Sequence, residues 1–132
     1  MGYFPYTKRK EYILQHFEII FYRKEDGTCP IKDFLDSLDV KMRARTSRLL
    51  LLLEQNGNEL REPYSKYLRD GLFELRIKQG NSISRILYFF MSSSKIILTN
   101  GFIKKTLKTP TSELQLAKAY RADYLERSTY NE

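Results

Sequence analysis

LFELRIKQGNSISRILYFFMSSSKIILTNGFIKK, residues 72–105, decides the fold. It reads as three short strands joined by two turns, with charged side chains set into an otherwise apolar sheet. Over residues 72–78, Phe73, Leu75 and Ile77 point one way and Glu74, Arg76 and Lys78 the other, because successive strand residues face opposite sides. Same-face neighbours lie about 7 Å apart along a strand. A carboxylate and a guanidinium at that spacing can bracket one small charged group. Gln79-Gly80-Asn81-Ser82 supplies a turn, and the strand over 83–91 carries Arg85 among apolar neighbours. Ser92-Ser93-Ser94 turns the chain again, and the strand over 95–103 runs into Lys104-Lys105. Three strands converge, and each delivers a cation.

Upstream, FEIIFYR at 17–23 reads as a first strand, bounded by the turn Lys24-Glu25-Asp26-Gly27. Pro30 suits the first turn of a helix to about residue 38, capped by Thr28 or Cys29, with Ile31, Phe34, Leu35 and Leu38 at helical spacing. Asp39 caps a second helix over 40–55 and Gly57 ends it. Val40, Ala44, Leu51 and the adjacent leucines form its expected buried stripe, with Lys41, Arg43, Arg45 and Arg48 facing outward. Those cations oppose the helix macrodipole, which argues for a partner there. Residues 60–71 form a polar connector with an extended piece around 64–68, and Asp70-Gly71 launches the central strands.

Downstream, Thr109 and Pro110 open a helix to about residue 127, with Glu113 in its first turn and Leu114, Ala117, Tyr120 and Tyr124 on one face. Residues 1–15 have no clear period and are expected to form an N-terminal arm. Residues 16–132 form one domain. The order is strand, helix, helix, three antiparallel strands, helix: an α+β class.

Composition agrees with one soluble domain: 132 residues, 42% hydrophobic and 30% charged. A lone Cys29 gives no internal disulfide and fits a reducing compartment. The leucine run at 49–53 is far short of the roughly 20 residues that span a bilayer. The N-terminal apolar runs are broken by Gln15, His16 and Glu18, so a cytoplasmic protein is expected. His16, the only histidine, reads as structural or exposed. The net charge is +7, and residues 61–108 hold ten basic against three acidic residues, a surplus equal to the whole. A basic excess confined to the sheet region points to a polyanionic partner there.

At this point the residues carry a resemblance. Leu68-x-x-Gly71-Leu72-Phe73-Glu74-Leu75-Arg76, then Arg85-Ile86-Leu87-Tyr88-Phe89, then Gly101-Phe102-Ile103-Lys104-Lys105, then Pro110 with Glu113 and Ala117, resembles the phage-derived Gp49-like family of HigB-type toxins within the RelE/ParE superfamily. The resemblance covers about 17–121. It implies a RelE-like fold, with a two-helix hairpin and a C-terminal helix on a small curved, mainly antiparallel sheet. It also implies the toxin of a type II toxin–antitoxin system, a ribosome-dependent endoribonuclease (mRNA interferase) that arrests translation. Its partners would be the ribosome, mRNA and a helix-turn-helix, HigA-like antitoxin, in a heteromeric complex and without a membrane. The N-terminal arm and the helix hairpin are the expected docking surfaces for the antitoxin.

The residues fit that chemistry on their own terms. Metal-free RNA cleavage requires the 2′-hydroxyl deprotonated, the phosphorane charge stabilised and the leaving 5′-oxygen protonated. No metal-ligand cluster is visible in the sequence, and no cofactor is expected. Arg76 and Arg85 are assigned to the scissile phosphate, since a guanidinium is fixed in charge and binds two oxygens. Lys104 or Lys105 would stabilise developing charge or act as the acid, with Lys104 the expected catalytic one. Glu74, the carboxylate beside these cations, is the candidate base, with an ion pair to Arg76 as its structural alternative. Lys66, Lys78, Lys105 and Lys108 are expected to bind RNA, and Tyr88 either stacks on a base or belongs to the core. The RelE pattern presents lysines where this chain has Glu74 and Arg76, and a tyrosine after the final strand that is absent here before Tyr120. Two other readings compete: a ParE-like inhibitor of DNA gyrase, or a plain RNA-binding module.

Overall fold

The computed structural model describes residues 16–92, 94–103 and 108–130. In chain order these form β1 (Glu18–Phe21), α1 (Pro30–Ser37), α2 (Val40–Asn56), a 3₁₀ turn (Gly57–Glu59), β2 (Ser65–Arg69), β3 (Leu72–Gln79), β4 (Ser82–Met91), β5 (Lys95–Ile103) and α3 (Thr111–Tyr130). The expected arm at 1–15, together with Lys104 and Lys105, lies outside the described residues. The sheet is open and mixed, in the order β1-β5-β4-β3-β2. β1 runs parallel to β5, and the other neighbours are antiparallel. The class is α+β, as the sequence suggests. The connector holds more than an extended piece, for β2 pairs with β3 across the Asp70-Gly71 turn. Both turn residues have positive φ, 55° and 81°, the backbone that a two-residue hairpin loop demands.

Each face of the sheet carries a helical layer. On one, α1 and α2 bury Ile31, Met42, Leu49 and Leu53 against Leu75, Ile77, Ile86, Tyr88 and Leu98. On the other, Ala117 of α3, wholly buried, meets Leu72, Leu87, Phe89 and Ile97. Leu114, Tyr120 and Tyr124 pack around it, as helical spacing predicts. A bulge in β5 sets which side chains reach which layer. Leu87 pairs with Asn100 but Tyr88 pairs with Leu98, so Thr99 is the extra residue, and its hydroxyl donates to the Leu87 carbonyl at 3.1 Å. Leu98 therefore faces the α1–α2 layer while Asn100, two residues on, faces α3.

The buried stripe of α2 differs in phase from the expected one. Met42, Thr46, Leu49 and Leu53 are buried, whereas Val40 is 77% and Leu51 53% exposed. Two sequence features hide this phase. Thr46 is acceptable inside because its hydroxyl donates to the Met42 carbonyl at 2.8 Å. Five consecutive leucines supply an apolar residue to every possible stripe. Asp39 caps the helix as expected, its carboxylate accepting from the Met42 amide at 2.8 Å. Cys29 occupies the cap position of α1 without a side-chain cap bond. Arg43 serves the fold, because its guanidinium donates to the carbonyls of Leu35 and Leu38 at 3.2 and 2.8 Å and so satisfies the open C-terminal end of α1.

Candidate functional site

β3 and β4 place the charged side chains on the α3 face. Arg76 and Arg85 stand directly opposite each other in register, and Lys66 stands opposite Glu74. Like charges facing each other across a ladder destabilise a sheet. Glu74 offsets this from the next row: its two oxygens lie 3.7 Å from Arg76 Nε and 3.6 Å from Arg85 Nη1. These are ion-pair distances, longer than hydrogen bonds. Thr109, just before α3, closes the cluster by donating its hydroxyl to Glu74 Oε2 at 2.7 Å.

The three charged groups differ sharply in exposure. The side chains of Arg85 and Glu74 are 0% and 1% exposed, while that of Arg76 is 21% exposed. Burial pulls the Arg85 guanidinium below its usual pKa, Glu74 raises it and Arg76 lowers it further. Arginine remains charged through such shifts. The cluster therefore keeps one net positive charge, presented to solvent mainly by Arg76.

Of the two roles expected of Glu74, base or ion-pair partner of Arg76, the geometry favours the second. A base must reach the proton it removes, and this carboxylate is shut in by two guanidiniums and a threonine. It holds the cations in place instead. Tyr88 is 1% exposed on the α1–α2 face, in contact with the Ser65 hydroxyl, and stacks on Phe73 at 5.5 Å. Of the two alternatives expected for Tyr88 this is the core one, on the opposite side of the sheet from the cations. Lys66 and Lys78 are exposed on the cation face, and Lys108 is exposed beside Thr109. Lys104 and Lys105 fall outside the described residues. Among the described residues, no three of His, Cys, Asp and Glu come together in a way that would hold a metal.

Thr109 is the site residue that sequence reasoning missed, since Thr before Pro reads as a cap and gives no hint of a long-range partner. Other signature residues have structural explanations. Asn100, in the row of Glu74 and Leu87, donates to Glu113 Oε1 at 3.0 Å and to its carbonyl at 3.2 Å, tying the first turn of α3 to β5. Gly101 is a glycine because the Phe34 ring of α1 lies over it, 2.4 Å from where a Cβ would stand.

A small mixed sheet between a helix hairpin and a C-terminal helix, with a charged cluster on the face that helix packs on, places the chain in the RelE-like class of α+β proteins. A family model described as "Phage derived protein Gp49-like (DUF891)" matches residues 33–121, and the chain belongs to that RelE/toxin-like family. A search of curated proteins found no match. Among the described residues, no helix is long and apolar enough to cross a membrane.

Proposed function

We propose that this chain is the HigB-type toxin of a type II toxin–antitoxin pair, an endoribonuclease that cleaves mRNA on the ribosome without a metal ion. Its neutralising partner would be a small helix-turn-helix antitoxin. One observation carries the reading: two strand-borne arginines held side by side by a shared carboxylate, on the face where Lys66 and Lys78 are also exposed. Membership of a commonly toxin-like family supports it.

In this reading, Arg76 contacts the non-bridging oxygens of the scissile phosphate and is the catalytic residue among the cluster. Arg85 and Glu74 are positioning residues, acting through Arg76. The 2′-oxygen attacks phosphorus as the bond to the 5′-oxygen breaks, leaving a cyclic phosphate and a 5′-hydroxyl. The buried Arg85 and Glu74 fix the half-buried Arg76 guanidinium, which meets the negative charge that develops on the phosphate. The proton from the 2′-hydroxyl and the proton to the 5′-oxygen pass through other groups, with Lys104 and Lys105 the candidates nearest in sequence.

The test is expression in growing cells followed by primer extension on a known transcript. New 5′ ends within codons are expected, absent in Arg76→Ala and partly restored in Arg76→Lys. Growth arrest with intact transcripts and altered DNA topology would replace this reading with gyrase inhibition.

A further inference from the structure

The outer face of α2 is built to dock something. Lys41, Arg45 and Arg48 recur at i, i+4 and i+7, so they share one helical edge, and Leu51 and Leu52 continue that edge toward the C-terminal end. All three cations are exposed. Among the described residues none has an acidic partner, whereas Lys32 on α1 and Arg127 on α3 each do. A depression of about 350 Å³ lies along this edge, lined by Arg45, Arg48, Leu51, Leu52 and Tyr64 among others. A second, of about 210 Å³, is lined by Lys41, Arg45 and Arg48, so the same two arginines border both. No carboxylate lines either one.

Two further observations separate this edge from an ordinary solvated one. Lys41 stands in the first turn of α2, facing the positive end of the macrodipole with only the Asp39 cap carboxylate to offset it. Leu51 is 53% and Tyr64 43% exposed at the other end of the same groove. Folding gains nothing from either feature. A single-stranded nucleic acid would match the arginines and stack a base on Tyr64 but leave Leu51 idle. An amphipathic protein helix matches both, through carboxylates on Lys41, Arg45 and Arg48 and apolar residues on Leu51 and Tyr64.

We infer that this edge of α2 is the docking groove for an acidic amphipathic helix of a partner protein. The groove lies across the sheet from the Glu74–Arg76–Arg85 cluster, and its occupancy is independent of whether that cluster cleaves RNA.

The probe is a synthetic helical peptide with glutamates on one edge and leucines on the other, followed by fluorescence anisotropy with the full chain. Binding is expected, at least tenfold weaker to Arg45→Glu and severalfold weaker to Leu51→Ser. Lys24→Glu, an equal charge change far from the groove, and Arg76→Ala should leave it unchanged. Circular dichroism of each variant separates lost docking from lost folding. Equal weakening by Lys24→Glu and Arg45→Glu would reduce the effect to net charge and overturn the inference. So would an unaffected Leu51→Ser variant, or a single-stranded RNA oligonucleotide that displaces the peptide and depends on the same arginines.

Discussion

The two faces of the sheet are covered to a similar depth and do opposite things. The α1–α2 face is filled by aliphatic and aromatic side chains, Leu53, Leu75 and Ile86 among them, all fully buried. There, each square ångström removed from water stabilises the fold by about 25 cal/mol. The α3 face buries Arg85 and Glu74 just as completely. Desolvating two charges takes back most or all of what their attraction returns. Apolar burial stabilises both faces, for Leu72, Leu87, Ile97 and Ala117 are as deeply buried under α3, but only the α3 side also keeps a charged cluster that an apolar filling would replace at no loss to folding. Burial depth alone does not say which side chains hold a protein together.

The contrast breaks most visibly at Glu74. Glu74→Ala should destabilise the chain by about 3–5 kcal/mol in urea unfolding, since it removes the carboxylate beside a buried guanidinium. Glu74→Leu combined with Arg85→Met should recover most of that loss; a double variant no better than the single one would mean that the cluster contributes net stability. Gly101→Ala probes the hairpin face and should cost up to about 3 kcal/mol, because the new methyl meets the Phe34 ring. Adding Phe34→Leu should return part of it.

Alkaline pH tests one phenol on each face. Burial pushes Tyr88 up to about 12, with the Ser65 hydroxyl pulling it slightly back. Burial, then the hydrogen bond and charge of Asp123, push Tyr22 up to about 12 as well. A raised phenol favours its neutral form in the folded state, so its contribution is complete below pH 10 and lost as pH rises through 12. For Tyr88 the loss should be on the order of 2 kcal/mol. Tyr88→Phe and Tyr22→Phe should each flatten part of that decline in pH-dependent urea titrations. The smallest effect is expected at Asp39→Ala, about 1 kcal/mol for a helix cap lost from an exposed side chain.

Much of this architecture can be read from local chemistry. Strand parity separates Phe73, Leu75 and Ile77 from Glu74, Arg76 and Lys78, and the structure puts those sets on opposite faces. Turn residues, the Asp39 cap and the face of α3 are equally legible, because each depends on a few neighbours in sequence. What escapes is what depends on distant partners. The phase of α2 is lost in a run of leucines and a threonine that satisfies itself. Arg43 reads as an outward cation, yet serves a helix end several residues upstream. Tyr88 has core parity, but only a coordinate shows that Ser65 takes up its hydroxyl. The pairing of Thr109 with Glu74 spans 35 positions and leaves no local mark.

The parallel pairing of β1 with β5 has a consequence for how the chain is made. Glu18 finds its ladder partner only at Lys95, so β1 leaves the ribosome well before β5, the strand it pairs with. Until then the helix hairpin has no completed sheet to lie on, and its oily side remains open to chaperones or to self-association. Synthesis must pass β5 before the sheet can close, and a product truncated ahead of that strand is a sticky fragment with no completed sheet.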